Sequence, residues 1–121
     1  MEKEQGTPPA HGENTGSDPL VLSLPQEELP YFEVLKPPRS AVLRSGLVTL
    51  RRGCDVGAHS TNGHEEILVI QGGRGEVEMK GHGRRPIREG QVVFIPKGTE
   101  HNVFNTGSES LRYLYIVAPC A

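Results

Sequence analysis

The sequence predicts an all-β fold, a small sandwich or barrel of short strands. Three observations carry this. Runs of β-branched and aliphatic residues recur at roughly 8–12-residue intervals, the spacing of strands in such folds. Gly and Pro, 15 and 10 of 121 residues, make up about a fifth of the chain and punctuate those runs. No stretch beyond residue 18 sustains the apolar period of an amphipathic helix.

Taken in order, residues 1–18 have no aliphatic residue beyond Met1 and Ala10. They cannot bury enough apolar area to offset the entropy of ordering, which predicts a disordered tail containing His11. A single domain is expected over 19–121, with one helical turn at Gln26–Leu29 ahead of Pro30. Ala41-Val42-Leu43 and Leu47–Leu50 read as strands separated by Ser45-Gly46. Glu66–Ile70 is a near-continuous apolar run ended by Gly72-Gly73, and Gly72–Gly75, with no helix after it, reads as a hairpin turn. Glu76–Met79 alternates with period two, turns at Gly81-His82-Gly83 and can pair back through Arg84–Ile87. Val92–Ile95 closes at Pro96, and His101–Asn105 and Leu111–Val117 complete the set.

The bulk numbers exclude several classes. Lys+Arg (13) nearly balance Asp+Glu (15), for a formal net charge of −2, so no basic footprint for nucleic acid is present. Arg51-Arg52 and the cluster Lys80, Arg84, Arg85, Arg88 read as solvated turns or faces. No apolar run approaches the ~18 residues of a membrane helix, and the polar first twenty residues lack the apolar core of a signal peptide. Two cysteines, Cys54 and Cys120, are too few for a disulfide scaffold and predict unpaired thiols in a cytoplasmic protein. Cys54 is expected to be a small buried hydrophobe.

Three of the five histidines, His59, His64 and His101, stand at the ends of apolar runs, and Glu65 and Glu66 follow His64. Imidazole with carboxylate makes a set of borderline softness that suits one divalent ion of Fe, Mn, Ni, Co or Zn. Strand parity puts Glu66, Leu68 and Ile70 on one face, joined by His64 if the strand reaches back that far, and turns Glu65 the other way. His101, Val103 and Asn105 share a face on their own strand. A carboxylate and an imidazole at the mouths of apolar faces are costly unless paired or metal-bound. Tyr113 and Tyr115 share a face and read as packing or dimer-contact residues, one of which can hydrogen-bond a substrate. His82, in its Gly-His-Gly turn, reads as solvent-exposed.

The spacing is more specific than the composition. Residues 90–105 read GQVVFIPKGTEHNVFN, which fits G-x5-P-x-G-x2-H-x3-N at every fixed position: Gly90, Pro96, Gly98, His101, Asn105. Gly90 turns into the strand, Pro96 ends its pairing, and Gly98 permits a tight turn with positive φ. This block resembles the second motif of the cupin family. Residues 53–73 resemble its first motif, G-x5-H-x-H-x3,4-E-x6-G, through Gly53, His59, Glu66 and Gly73, with Thr61 where a second histidine is usual. A register using Glu65 and Gly72 also satisfies the spacing, but the run from His64-Glu65-Glu66-Ile67 to Gly73-Arg74-Gly75-Glu76-Val77 lines up without a gap on Glu66.

The resemblance spans about residues 40–117. It implies a double-stranded β-helix (jelly-roll barrel) of six to eight strands, a metal in the barrel mouth, and a homodimer. It carries the metal ligands onto His59, Glu66 and His101. Either His64 supplies a further imidazole in place of the one missing at Thr61, or a two-His, one-carboxylate triad stands with Thr61 beside a bound water. The latter set, with open positions, is the pattern of non-haem Fe(II) oxygenases. Asn105 is implied to serve the turn after its strand. Leu68, Ile70, Val93 or Phe94, and Val103 would line the interior, which favours a compact, partly apolar small-molecule ligand. The readings that follow are a metal-dependent dioxygenase or isomerase, with His64 or Glu65 nearest for proton transfer, and a non-catalytic metabolite-binding module.

Overall fold

The computed structural model describes residues 18–121. The tail expected over 1–18, with His11, therefore lies outside the described residues except for Asp18. Nine strands follow: β1 (Tyr31–Leu35), β2 (Arg44–Leu50), β3 (His59–Ser60), β4 (His64–Gly72), β5 (Arg74–Met79), β6 (Gly83–Arg88), β7 (Val92–Ile95), β8 (Glu100–Phe104) and β9 (Leu111–Pro119). They form a five-stranded sheet in the order β1-β2-β9-β4-β7 and a four-stranded sheet in the order β3-β8-β5-β6. Every pairing between these strands is antiparallel. No helix among the described residues is long and apolar enough to cross a membrane.

Alternation builds the core. On β4, Glu66, Leu68 and Ile70 are buried while Glu65 and Ile67 are exposed, the period-two signature of a strand with one covered face. Leu68 and Ile70 meet Val93 and Ile95 from β7, Val48 and Leu50 from β2, and Leu111 and Tyr113 from β9. The other sheet contributes Val77, Met79, Ile87 and Val103. Val93 is the inward residue of β7, and Phe94 faces out, 53% exposed.

Several expected elements differ. Ala41–Leu43 is not a strand; β2 begins at Arg44 and runs straight through Ser45-Gly46. A side chain at Gly46 would lie 2.6 Å from the Tyr31 ring and 2.7 Å from the Tyr115 ring, so glycine stands in this strand to let two aromatic rings lie against it. Gln26–Leu29 forms no helical turn. The Arg112 guanidinium takes the carbonyl oxygens of Pro25 and Gln26, and Leu29 N–H donates to Glu27. Pro30 also disfavours helical geometry at the residue before it. Gly72–Gly75 is no hairpin, because β4 and β5 lie in different sheets; it is a corner between them. Gly73 turns that corner at φ +80°, with its α-carbon packed against the Ser110 carbonyl where no side chain fits. Cys54 is exposed rather than buried, since it sits in the turn after β2 with its N–H on the Arg51 carbonyl. Both thiols are unpaired, and His82 is exposed as expected. The nine strands exceed the six to eight expected; β3 is only two residues long, and β1 lies ahead of the residues that carry the resemblance.

Candidate metal centre

Register brings the candidate residues together. His59 on β3 pairs directly with His101 on β8, and the two rings meet edge to face with centroids 4.2 Å apart. Glu66 reaches them from β4, across the gap between the two sheets. One ligand atom from each of His59, Glu66 and His101 lies within 4.8 Å of the others. Glu66 and His101 are buried and His59 is exposed, so the group sits in an opening at one end of the barrel. Glu65 points outward and is exposed. His64 begins β4 on the Glu66 side, but it is not part of the group; its Nδ1 lies 3.3 Å from the Thr61 carbonyl oxygen.

Backbone carbonyls orient both imidazoles. His101 Nδ1 lies 2.9 Å from the Thr99 oxygen, and His59 Nδ1 lies 2.8 Å from the Gly57 oxygen. A carbonyl oxygen only accepts, so each Nδ1 carries the proton and each Nε2 is left with its lone pair. His101 Nε2 is 3.3 Å from Glu66 Oε1, yet it is buried and has no hydrogen-bond partner of proper geometry. In the neutral ring two acceptors face one another, an arrangement that needs a proton or a cation between them. Burial works against charging His101, but the Glu66 carboxylate and the Thr99 carbonyl outweigh it and raise its pKa above the ordinary value. The donor set and the orphaned nitrogen thus fit a divalent cation.

Thr61, where a second histidine would be usual, has a different task. Its buried hydroxyl donates to the Pro96 carbonyl at 2.8 Å and accepts from Thr99 N–H at 2.9 Å. Its own N–H donates to the Thr99 oxygen, the atom that orients His101. Thr61 therefore braces the loop that aims His101. Asn102 does the same for His59. Its Oδ1 accepts from Gly57 N–H at 2.9 Å and its Nδ2 donates to Asp55 Oδ2 at 2.8 Å, fixing the loop whose Gly57 carbonyl orients the ring. Asn105 closes the turn after β8, donating to the Leu50 and Glu109 carbonyls and accepting from Gly107 N–H. Tyr113 is buried core, whereas the Tyr115 hydroxyl is hydrogen-bonded to Tyr31 at the rim.

With this geometry in hand, known proteins provide the context. A family model for the cupin domain matches residues 46–117. The chain is 36% identical over 78 residues to the uncharacterized protein YrkC of Bacillus subtilis, covering 60% of this chain and 42% of that protein. It is 35% identical over 65 residues to an oxalate-binding protein of Thermotoga maritima, covering 54% and 53% of the two chains. It thus spans about half the length of these curated relatives. Among solved structures, the protein BH2720 of Bacillus halodurans superposes with a TM-score of 0.75 at 25% identity, covering 89% of this chain and 86% of that one. A Thermotoga maritima structure described as a "predicted oxalate decarboxylase" superposes with a TM-score of 0.60 at 32% identity, covering 63% and 65%.

Proposed function

The chain belongs to the cupin family, and from that premise we propose that it binds one divalent metal ion through His59, Glu66 and His101 and takes a small organic ligand into the same barrel mouth. One observation carries this: the buried His101 Nε2 has no hydrogen-bond partner and faces the Glu66 carboxylate across 3.3 Å. The carbonyls of Thr99 and Gly57 hold the two imidazoles in the tautomer that presents Nε2, the second layer of contacts that metal-binding histidines ordinarily have. Glu66 offsets part of the cation's charge. A bound divalent ion would supply Lewis-acid polarisation of a ligand oxygen or, with iron, a meeting place for O₂ and ligand. Beneath the group, Leu68, Ile70, Val93, Ile95 and Val103 form a buried aliphatic floor that favours a compact ligand.

Binding without turnover is favoured by one observation: a relative is named for binding oxalate. Turnover as a dioxygenase or isomerase is the second reading. A thermal-shift series with Mn, Fe, Co, Ni and Zn, with and without oxalate, tests the proposal. One metal should raise Tm, His59→Ala should abolish the rise, and oxalate should add to it only with metal present. Oxalate stabilisation that persists after chelation would refute the joint site, and consumption of O₂ by the loaded protein would assign turnover.

The outer face of the five-stranded sheet is the proposed homodimer contact. Ile67, Val92 and Phe94 are 39%, 60% and 53% exposed there, and register places Ile67 against both Phe94 and Ile116. Light scattering on wild type and Phe94→Glu tests this, a monomer in wild type being the refuting result. The unpaired thiols, one of them exposed, fit a reducing compartment such as the cytoplasm.

A further inference from the structure

A second polar feature lies on the same inner sheet face as Glu66. Gly46, Tyr115 and Glu33 stand opposite one another in register on three adjacent strands, and Tyr31 lies diagonally beside Gly46, opposite the core residue Val48. All four therefore share the inner face of the five-stranded sheet. Because Gly46 has no side chain, the rings of Tyr31 and Tyr115 both settle over it, stacked at 20°, with their hydroxyl oxygens 2.6 Å apart. Tyr115 sits opposite Leu68, one step along the inner face of β4 from Glu66.

Resting on the metal-binding reading above, we infer that the Tyr31–Tyr115 hydroxyl pair is a second anchoring point for the ligand of the barrel mouth, and that this ligand is a hydroxylated carboxylic acid with a polyol end. The chemistry of the pair sets the class. Two phenols bonded to each other use one proton, which leaves one free O–H donor and several lone pairs. Burial, the bond from Tyr31, and the Glu66 and Glu33 carboxylates all push the Tyr115 hydroxyl's pKa up, so it remains a neutral donor. Glu33, held at the rim by Lys36 at 3.5 Å, is an acceptor on the same face. A neutral hydroxyl satisfies both groups, donating to the carboxylate and accepting from the phenol. A second ligand carboxylate would meet the charge of Glu33. Length follows from topology: β4 and β2 flank β9, and Gly46 stands level with Leu68, two residues along from Glu66, so Glu66 and Gly46 are about 12 Å apart at ~5 Å per strand and ~3.4 Å per residue. A one- or two-carbon acid on the metal would not reach the pair, whereas a sugar-acid chain would.

The test is calorimetry on the full chain loaded with one equivalent of Co(II), using three acids with the same chelating head: gluconate, 2-hydroxybutyrate and 2-hydroxyglutarate. Gluconate should bind wild type about five- to tenfold tighter than 2-hydroxybutyrate, the worth of one or two hydrogen bonds. Tyr31→Phe and Tyr115→Phe should each erase most of that advantage, leaving the affinities for Co(II) and 2-hydroxybutyrate within about twofold of wild type. A purely structural role would instead weaken all three acids or the metal itself. The anchoring point is overturned if the gluconate advantage is absent in wild type or survives both variants. Its ligand class is overturned if 2-hydroxyglutarate binds best. Failure of wild type to bind Co(II) overturns the metal reading, and this inference with it.

Discussion

Replacing Thr61 by valine removes one oxygen at nearly constant volume and tests whether that hydroxyl braces the site. Two backbone groups depend on it: the Thr99 N–H at 2.9 Å and the Pro96 carbonyl at 2.8 Å. Pro96 is exposed and can turn to water; Thr99 is half-buried, and its N–H loses its partner. Leaving such a donor unsatisfied costs about 1–2 kcal/mol. For a domain of this size that corresponds to a fall in Tm of roughly 5–15 °C. The consequence at the site is separate. The Thr99 carbonyl aims His101; losing such a partner outright weakens metal binding by about 10–100-fold, and loosening it through the Thr99 N–H should weaken binding by up to about tenfold. Differential scanning calorimetry and a competitive metal titration on Thr61→Val, with Thr61→Ser as the variant that keeps the hydroxyl, read both effects. Thr61→Ser should stay close to wild type in metal affinity. A valine variant that equals wild type in both Tm and affinity would refute the bracing argument.

Three further outcomes follow from the geometry. His64→Ala should retain full metal stoichiometry, because His64 stands outside the group of three; loss of metal would make it a ligand. In metal-free protein the raised His101 pKa means that the charged pair with Glu66 stabilises the fold below the ordinary histidine value. That contribution fades as pH rises through the folded-state value. Tm measured against pH should show this decline on the alkaline side, and His101→Gln should remove it. Gly46→Ala should destabilise by about 1–3 kcal/mol, because the new methyl meets two tyrosine rings at 2.6 and 2.7 Å. Adding Tyr31→Ala should restore part of the loss in a denaturation series.

Much of the fold was legible because β4, β5 and β7 alternate covered and open residues with a period of two. The runs at Glu66–Ile70, Glu76–Met79 and Val92–Ile95 all lie within observed strands. Parity alone turned Glu66 inward and Glu65 outward, and motif spacing identified His59 and His101 as candidates. Parity also put His64 on the Glu66 side of β4, where it stands; it lies outside the group of three because position along a strand matters as well as face. The break read at Ser45-Gly46 failed for a tertiary reason: glycine there serves two aromatic rings from neighbouring strands. The corner at Gly73 looked like a hairpin because local sequence does not say to which sheet the next strand belongs. Thr61 and Asn102 were missed as supports because their partners, Pro96, Thr99, Gly57 and Asp55, converge only in the folded barrel.

His59, Glu66 and His101 together should hold one metal ion. This is tested most directly by mass-spectrometric metal content of the purified protein beside His101→Ala. Wild type should carry about one equivalent of a single transition metal per chain, and the variant almost none. Equal metal content in both proteins, or none in either together with no thermal shift on adding Fe, Mn, Co, Ni or Zn, would contradict it.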